Sequence, residues 1–311
     1  ISRKTVFSFS LAGILFFCIF GASLHINKGF PDRIGFTKKL INSFEMPKDE
    51  NCFQVPYNHI NEEWGCYLGV SKNELDYIVF GDSHASSLRY VIDSVAKSQN
   101  ISVFFTGTSA CPPFLGIYPS SKKELQEKNN CYELNKRVAD FAVRESVKGI
   151  ILSARWSFYT EYEYKRSHMK FISSSKYGPF NKKNSISAFE EGFNKTLNFY
   201  INNNIPVHLF SQPPHQIYPP RSSYLKILQD NELLNLLSVP RKKFHDMEKN
   251  YESVFKERLS DFNYYDLKDK FCNKEVCSMG NLHESYYFDD DHLSIIGANK
   301  LYETIDQIFN Y

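Results

Sequence analysis

The sequence predicts an α/β domain over residues 76–311, with a parallel sheet between two layers of helices. Three observations carry this. Short apolar runs alternate with stretches of helical spacing from Asp76 to the end. Before Asp76 neither period holds: residues 1–24 carry a long apolar segment, and residues 25–75 are irregular. The composition, 42% hydrophobic and 23% charged over 311 residues, is that of a globular chain.

Residues 5–24 carry no charge and, at about 20 residues, are enough to cross a bilayer as a helix. A signal peptide is the competing reading, because Arg3 and Lys4 precede the stretch. The length of the stretch and the lack of a small-x-small cleavage site favour a membrane helix. Arg3 and Lys4 would then stay in the cytoplasm, with residues 25–311 outside. The first residue is Ile, so the chain is expected to be processed or a piece of something longer. Residues 25–75 hold Gly29, Pro31, Gly35, Pro47, Pro56, Gly65 and Gly69, and read as an extension packed on the domain.

Six cysteines lie outside the apolar segment, which contains Cys18. An even number in an exported domain points to disulfides. Pairing sequence neighbours gives Cys52–Cys66, Cys111–Cys131 and Cys272–Cys277, each contributing ~2–4 kcal/mol. Six buried thiols in a cytosolic protein is the alternative. Zinc is disfavoured because no C-x-x-C pair occurs.

From Asp76 the elements follow in order. Residues 77–80 form a short apolar run ending at Gly81, read as a buried parallel strand. Residues 84–99 have helical spacing at Leu88, Val91, Ile92 and Val95. Strands follow at 101–105, 149–152, 206–210 and 263–267, and helices at 121–147 and 186–203. Residues 223–260 read as two helices broken at Pro240, and 294–309 as a last helix capped by Ser294. Residues 157–184 have no period and read as an insertion loop near the site. The net charge of +2 argues against a nucleic-acid binder. The 20 Tyr and 27 Phe are chiefly core, although a surface Tyr or Trp can stack on a sugar ring.

Two short motifs carry chemistry. Gly81-Asp82-Ser83-His84 lies where the first strand passes into a helix, at the edge of the sheet where ligands bind. The free N–H groups of a helix start can face a developing negative charge there. An ordinary serine cap is the alternative. Asp289-Asp290-Asp291-His292 precedes the last helix. A serine hydroxyl needs a base, histidine serves near neutral pH, and a carboxylate fixes its tautomer. A Ca²⁺ loop or an acidic helix start is the alternative. The joint occurrence of both motifs favours Ser83 as nucleophile with Asp289 and His292 as partners.

A GDS turn after the first strand and a D-x-x-H before the last helix resemble the SGNH hydrolase family, over residues 76–311. The resemblance implies a three-layer α/β/α sheet of flavodoxin-like type. With the preceding helix and extension, the chain looks like the C-terminal part of bacterial membrane acyltransferases of family 3 fused to an SGNH domain. Some of those O-acetylate lipopolysaccharide O-antigen sugars. The resemblance implies that Ser83 accepts the acyl group, His292 acts as base and Asp289 orients it. It also implies an upstream membrane acyltransferase domain of the same polypeptide, an inner-membrane location with residues 25–311 in the periplasm, and a surface glycan as acceptor. No cofactor is expected in this domain, the acetyl donor being derived from acetyl-CoA through the membrane domain. For the oxyanion hole the family pattern points to Ser83 with Gly107 or Ser109. Its asparagine has no match in Ser153-Ala154-Arg155-Trp156, where Arg155 is the substitute donor or else a structural ion pair. Trp156 and His215 are acceptor-site candidates, with core packing and an ordinary loop as their alternatives. His84 is read as capping or packing beside the nucleophile and His208 as core. A carbohydrate acetylesterase and a non-catalytic glycan-binding domain remain the competing functions.

Overall fold

A computed structural model describes residues 2–27, 29, 38–46, 52–54, 64–120, 125–164, 168–227 and 230–310. Its frame is a six-stranded sheet: β1 (Cys66–Gly69), β2 (Tyr77–Gly81), β3 (Ser102–Gly107), β4 (Gly149–Ser153), β5 (Val207–Phe210) and β6 (Asn263–Tyr265). The spatial order is β1-β3-β2-β4-β5-β6. All pairs are parallel except β1 with β3. β2, β3 and β4 are buried along their whole length, so they read as continuous apolar runs with no alternation.

The helices are α1 (Arg3–Ile26), α2 (Lys38–Asn42), α3 (Ser83–Ser98), α4 (Leu125–Arg144), α5 (Lys182–Asn202), α6 (Pro220–Ile227), α7 (Asn231–Leu237), α8 (Arg241–Lys256), α9 (Lys268–Phe271), α10 (Ile295–Asn299) and α11 (Tyr302–Phe309). Alternate strand residues feed two cores. Ile78, Phe80, Ile150 and Leu152 pack with α4, α5 and α8. Tyr77, Val79, Val103 and Ile151 pack with α3, α10 and α11. Each such buried side chain contributes ~1.5–3 kcal/mol. The result is the three-layer α/β/α arrangement, in which the chain passes from β2 to β3 on one side and from β3 crosses to β4 on the other side of β2. The crevice at the carboxyl end of β2 is therefore the topological switch point.

Several elements differ from the sequence reading. The extension supplies edge strand β1 and helix α2, too short for a periodic signal. Between residues 220 and 256 there are three helices, and Pro240 lies in a short strand that pairs with Val276 and Cys277. The last helix is broken at Lys300 and Leu301, although Ser294 does cap α10 by accepting from the Gly297 N–H. The 157–184 segment contains a 3-10 turn, Trp156–Tyr159, and a short strand, Ile172–Ser173, paired with Tyr118–Pro119. Residues 121–124, 165–167 and much of the extension lie outside the described residues. The structure pairs Cys52 with Cys66, Cys111 with Cys131 and Cys272 with Cys277, while Cys18 is free and exposed.

Candidate active site

β2 ends at Gly81, where space is the constraint. A Cβ there would lie 1.7 Å from the Ser153 carbonyl oxygen, and one at Gly107 would lie 2.2 Å from the Gly81 oxygen. Glycine serves here because β2, β3 and β4 converge, not because the turn demands a left-handed backbone. Asp82 then caps α3. One carboxylate oxygen accepts the His84 N–H at 2.9 Å. The other accepts the Arg155 N–H at 3.0 Å and the Tyr159 hydroxyl at 2.7 Å. Burial, and after it the Asp82 charge, push the Tyr159 phenol well above its ordinary value, so it stays a donor. Asp82 thus locks the nucleophile turn to the loop after β4.

Ser83 opens α3, and its Oγ lies 2.7 Å from His292 Nε2. The opposite nitrogen, Nδ1, faces the Asp289 carboxylate at 2.8 and 3.0 Å. Asp289 also accepts the backbone N–H groups of Asp291 (3.0 Å) and His292 (2.7 Å), which fold the loop back on itself. Phe288 N–H donates to the His292 carbonyl at 2.9 Å and closes it. The extension braces this loop: Ser43 Oγ accepts the Ser285 N–H at 2.7 Å, and the Glu45 carbonyl accepts from Ile295 at 3.0 Å. The structure therefore brings Ser83, His292 and Asp289 into one hydrogen-bonded chain.

A second carboxylate was missed in the sequence. Asp291 is buried, 3.3 Å from His292 Nδ1, 3.2 Å from His84 Nε2 and 2.8 Å from Arg155 Nη1. Burial alone would raise its carboxyl. The bonds to His292 and His84 and the Arg155 charge overturn that and hold it well below the usual range. Burial alone would likewise lower His292, but the bonds to Asp289 and Asp291 raise it to about 10. The resting imidazole is therefore charged at neutral pH. Nothing in the D-D-D-H string marks which aspartate faces inward.

Three candidates need correction. Arg155 follows the ion-pair reading: its two Nη atoms are bound to Asp291, to Glu163 at 3.1 Å and to His215 at 3.0 Å, rather than being left for an oxyanion. Trp156 walls no acceptor site, because its ring is fully buried, stacks on Phe114 and donates Nε1–H to the Phe210 carbonyl. His215 does not line an open pocket either: it is buried between Arg155 and Asp290, whose carboxyl it helps to lower. His84 packs beside His292 with ring centroids 5.2 Å apart, and also reaches Asp291. His208 is core, bonded to the Tyr265 hydroxyl, and burial lowers it to about 4. Gly107 and Ser109 lie at the carboxyl edge of β3; Ser109 Oγ accepts from Gln54 Nε2 at 2.6 Å.

His84, Asp291 and His292 bring potential metal ligands within 4.8 Å of one another, as do Asp289, Asp290 and Asp291. These groups are already matched with each other, with His215 and with Arg155, which is unlike an open Ca²⁺ loop that leaves its oxygens to the ion.

A comparison with curated proteins finds no match. Among solved structures the chain is similar to the periplasmic domain of a lipopolysaccharide acetyltransferase from Salmonella ser. Paratyphi A. That likeness has a TM-score of 0.54 and 15% identity, over 77% of this chain and 85% of that one. It is also similar to a GDSL-like lipase from Bacteroides thetaiotaomicron, with a TM-score of 0.42 and 13% identity, over 78% and 90%. The family model described as the SGNH domain fused to AT3 domains matches residues 51–307. With the GDS turn and D-x-x-H loop facing each other across the switch point, the chain belongs to the SGNH domains of that fused family.

Proposed function

We propose that this chain is an O-acetyltransferase that moves an acetyl group through Ser83 onto a hydroxyl of a cell-surface glycan such as lipopolysaccharide O-antigen. The observation that carries the reading is the unbroken Ser83–His292–Asp289 chain at the sheet's switch point. In its neutral form, His292 takes the Ser83 proton on Nε2 as Oγ attacks the donor carbonyl carbon. The tetrahedral oxyanion is held by backbone N–H groups at the start of α3 and beside Gly107 or Ser109. Collapse breaks the bond to the donor's leaving group, which takes the proton from His292 and leaves acetyl-Ser83. A sugar hydroxyl then gives its proton to His292 and attacks the ester. The O-acetyl sugar departs, and the proton returns to Ser83. Asp289 carries no proton; it orients the ring and steadies its positive charge.

The family's fusion to AT3 domains supports an upstream membrane acyltransferase domain of the same polypeptide; in this reading that domain delivers acetyl groups derived from acetyl-CoA. α1, 24 residues long and without charge over residues 5–24, supports an inner-membrane anchor with residues 25–311 in the periplasm. The test gives the chain an activated acetyl ester and surface-glycan fragments and scores acetylated glycan against free acetate by mass spectrometry. Acetylated glycan that disappears in Ser83→Ala is the expected result. Free acetate alone would favour the esterase reading, and no product from either protein would remove the triad's role.

A further inference from the structure

Three segments at the carboxyl edge of the sheet meet on one guanidinium. Arg155 and Glu163 follow β4, His215 follows β5, and Asp291 lies in the loop that carries His292. The contacts of Arg155 divide by nitrogen. Nη1 donates to Asp291 Oδ2 at 2.8 Å. Nη2 donates to Glu163 Oε1 at 3.1 Å and to His215 Nδ1 at 3.0 Å, a nitrogen that can only accept from an arginine. The backbone N–H is fixed on Asp82, and the guanidinium lies 4.7 Å from the centre of the Phe158 ring. With 13% of its side chain exposed, this cation is little screened by solvent.

Asp291 divides its work in the same way. Its Oδ1 faces His292 Nδ1 at 3.3 Å, while Oδ2 meets Arg155 and, at 3.2 Å, His84 Nε2. His292 Nδ1 therefore lies closer to Asp289, at 2.8 Å, than to Asp291. A serine triad needs one carboxylate to orient the ring. A second in full contact would stabilise the imidazolium further and leave less neutral base at working pH. Arg155 draws on the oxygen of Asp291 that His292 does not use, and its charge offsets the second carboxylate.

The groups that could supply such an offset can be named element by element. His292 faces Asp289 and Asp291 from its own loop, and Ser83 and His84 from α3. Arg155 faces Asp291, Glu163 with His168 beyond it at 3.5 Å, and His215 with Asp290 beyond it at 3.4 Å. The Tyr164 ring lies 5.2 Å from that of His215. Asp82 and the Tyr159 hydroxyl bound to it meet the backbone N–H of Arg155 rather than its guanidinium. Arg155 is the one permanent cation in this set. Burial opposes the charge of Asp291, and the bonds to His292 and His84, then the Arg155 charge, outweigh it.

We propose that Arg155 is a positioning residue for His292: it holds the second oxygen of Asp291 and balances its charge, which keeps Asp289 as the orienting carboxylate and leaves the imidazole able to take the Ser83 proton. Its effect on turnover rests on the acyl-transfer reading; the coupling to His292 does not. The test titrates His292 by NMR in the full chain, with isotope-labelled histidine in detergent and His292→Gln to assign the signal. Asp289→Asn is the background, because losing one carboxylate brings the midpoint to lower pH. There Arg155→Met should raise the midpoint by about one pH unit, and Arg155→Lys, which keeps the charge, by less than half of that. Glu163→Gln removes the opposing charge and should lower it by about half a unit. In an Asp291→Asn background each shift should be less than half as large, since the group that carries the coupling is gone. Kinetics should agree in sign: in the otherwise unmutated chain, Arg155→Met should lower kcat on an activated ester about ten-fold at pH 8, with KM within about two-fold. Absence of any shift, or shifts undiminished without Asp291, overturns the proposal. If Arg155→Met does not fold, Glu163→Gln in the two backgrounds decides alone. A serine-directed phosphonate on the unmutated chain is read separately. If it misses Ser83 while the midpoint follows Arg155 through Asp291, the acyl-transfer reading falls and the coupling stands.

Discussion

His292 faces two carboxylates through one nitrogen, and this sets what single substitutions should do. In a serine triad, replacing the orienting aspartate with asparagine costs roughly 10⁴ in rate by favouring the wrong tautomer. Here Asp291 remains 3.3 Å from Nδ1 when Asp289 is neutralised. Asp289→Asn should therefore cost less, about 10²–10³-fold in kcat on an activated acetyl ester, and Asp289→Asn with Asp291→Asn should cost more than either alone. Equal losses in the single and double variants would show that Asp291 is idle. The same geometry governs pH. A base must be neutral to take the Ser83 proton, and His292 is raised to about 10. Ester turnover should climb from pH 7 towards pH 10, where an unperturbed histidine would already be flat above ~7.5. Asp291→Asn should move that limb to lower pH. A profile that is level above pH 7 in the unmutated chain would sink the charged resting state. The linked stability has the opposite sign: a raised histidine stabilises fully below ~6.5, and that contribution is lost as pH rises through about 10.

Among the elements, the carboxyl ends of β2, β3 and β4 are the least tolerant place in the fold. Gly81→Ala would drive a methyl into the Ser153 carbonyl, a backbone group that cannot swing away. A loss of more than ~3 kcal/mol is expected, seen as a lowered Tm or failure to fold, while Ser83→Ala two residues on should melt within ~0.5 kcal/mol of the parent. A normally melting Gly81→Ala would show that the strands can separate there. The strands that make this junction were legible because burial on both faces demands unbroken apolar runs such as 77–80 and 149–152. The edge strand β1 was not: it is four residues long with a half-exposed pattern, and its pairing with β3 is set across the sheet rather than by its own composition. The break between α10 and α11 was also hidden, because Ile295, Ala298, Leu301, Ile305 and Ile308 keep a helical spacing through it. At the site, Ser83, Asp289 and His292 were legible from two short motifs. The tasks of Asp82, Asp291 and Glu163 were not, since each depends on which distant loop the fold sets against it. For Arg155 and Trp156 the sequence left two readings open, a donor or an ion pair and an aromatic wall or core packing, and the tertiary contacts use both for support.

For the whole molecule, the tether between α1 and the domain limits where the site can work. α1 is apolar on all sides over residues 5–24, with Phe7, Phe9, Phe16 and Phe17 largely exposed, a surface suited to a lipid or protein environment. It ends at Ile26, and α2 begins at Lys38. Even fully extended, a dozen residues reach no more than about 40 Å. α2 is fastened to the loop that carries His292: Lys39 pairs with Glu284 at 3.0 Å, and Ser43 accepts the Ser285 N–H. With α1 in a membrane, as proposed, the nucleophile would be held within that reach of the bilayer, and an acetyl group delivered at its surface would meet Ser83 at high effective concentration. Inserting about 30 Gly/Ser residues between positions 29 and 38 dilutes the site, because the effective concentration falls roughly as the −3/2 power of tether length. The insertion should lower acetylation of surface glycan in cells several-fold, read by mass spectrometry. Turnover of a soluble activated ester by the purified variant should match the parent, since no group of the site is touched. If cellular acetylation is unchanged, the acetyl donor is not delivered at the membrane surface, and the anchor serves only to retain the protein.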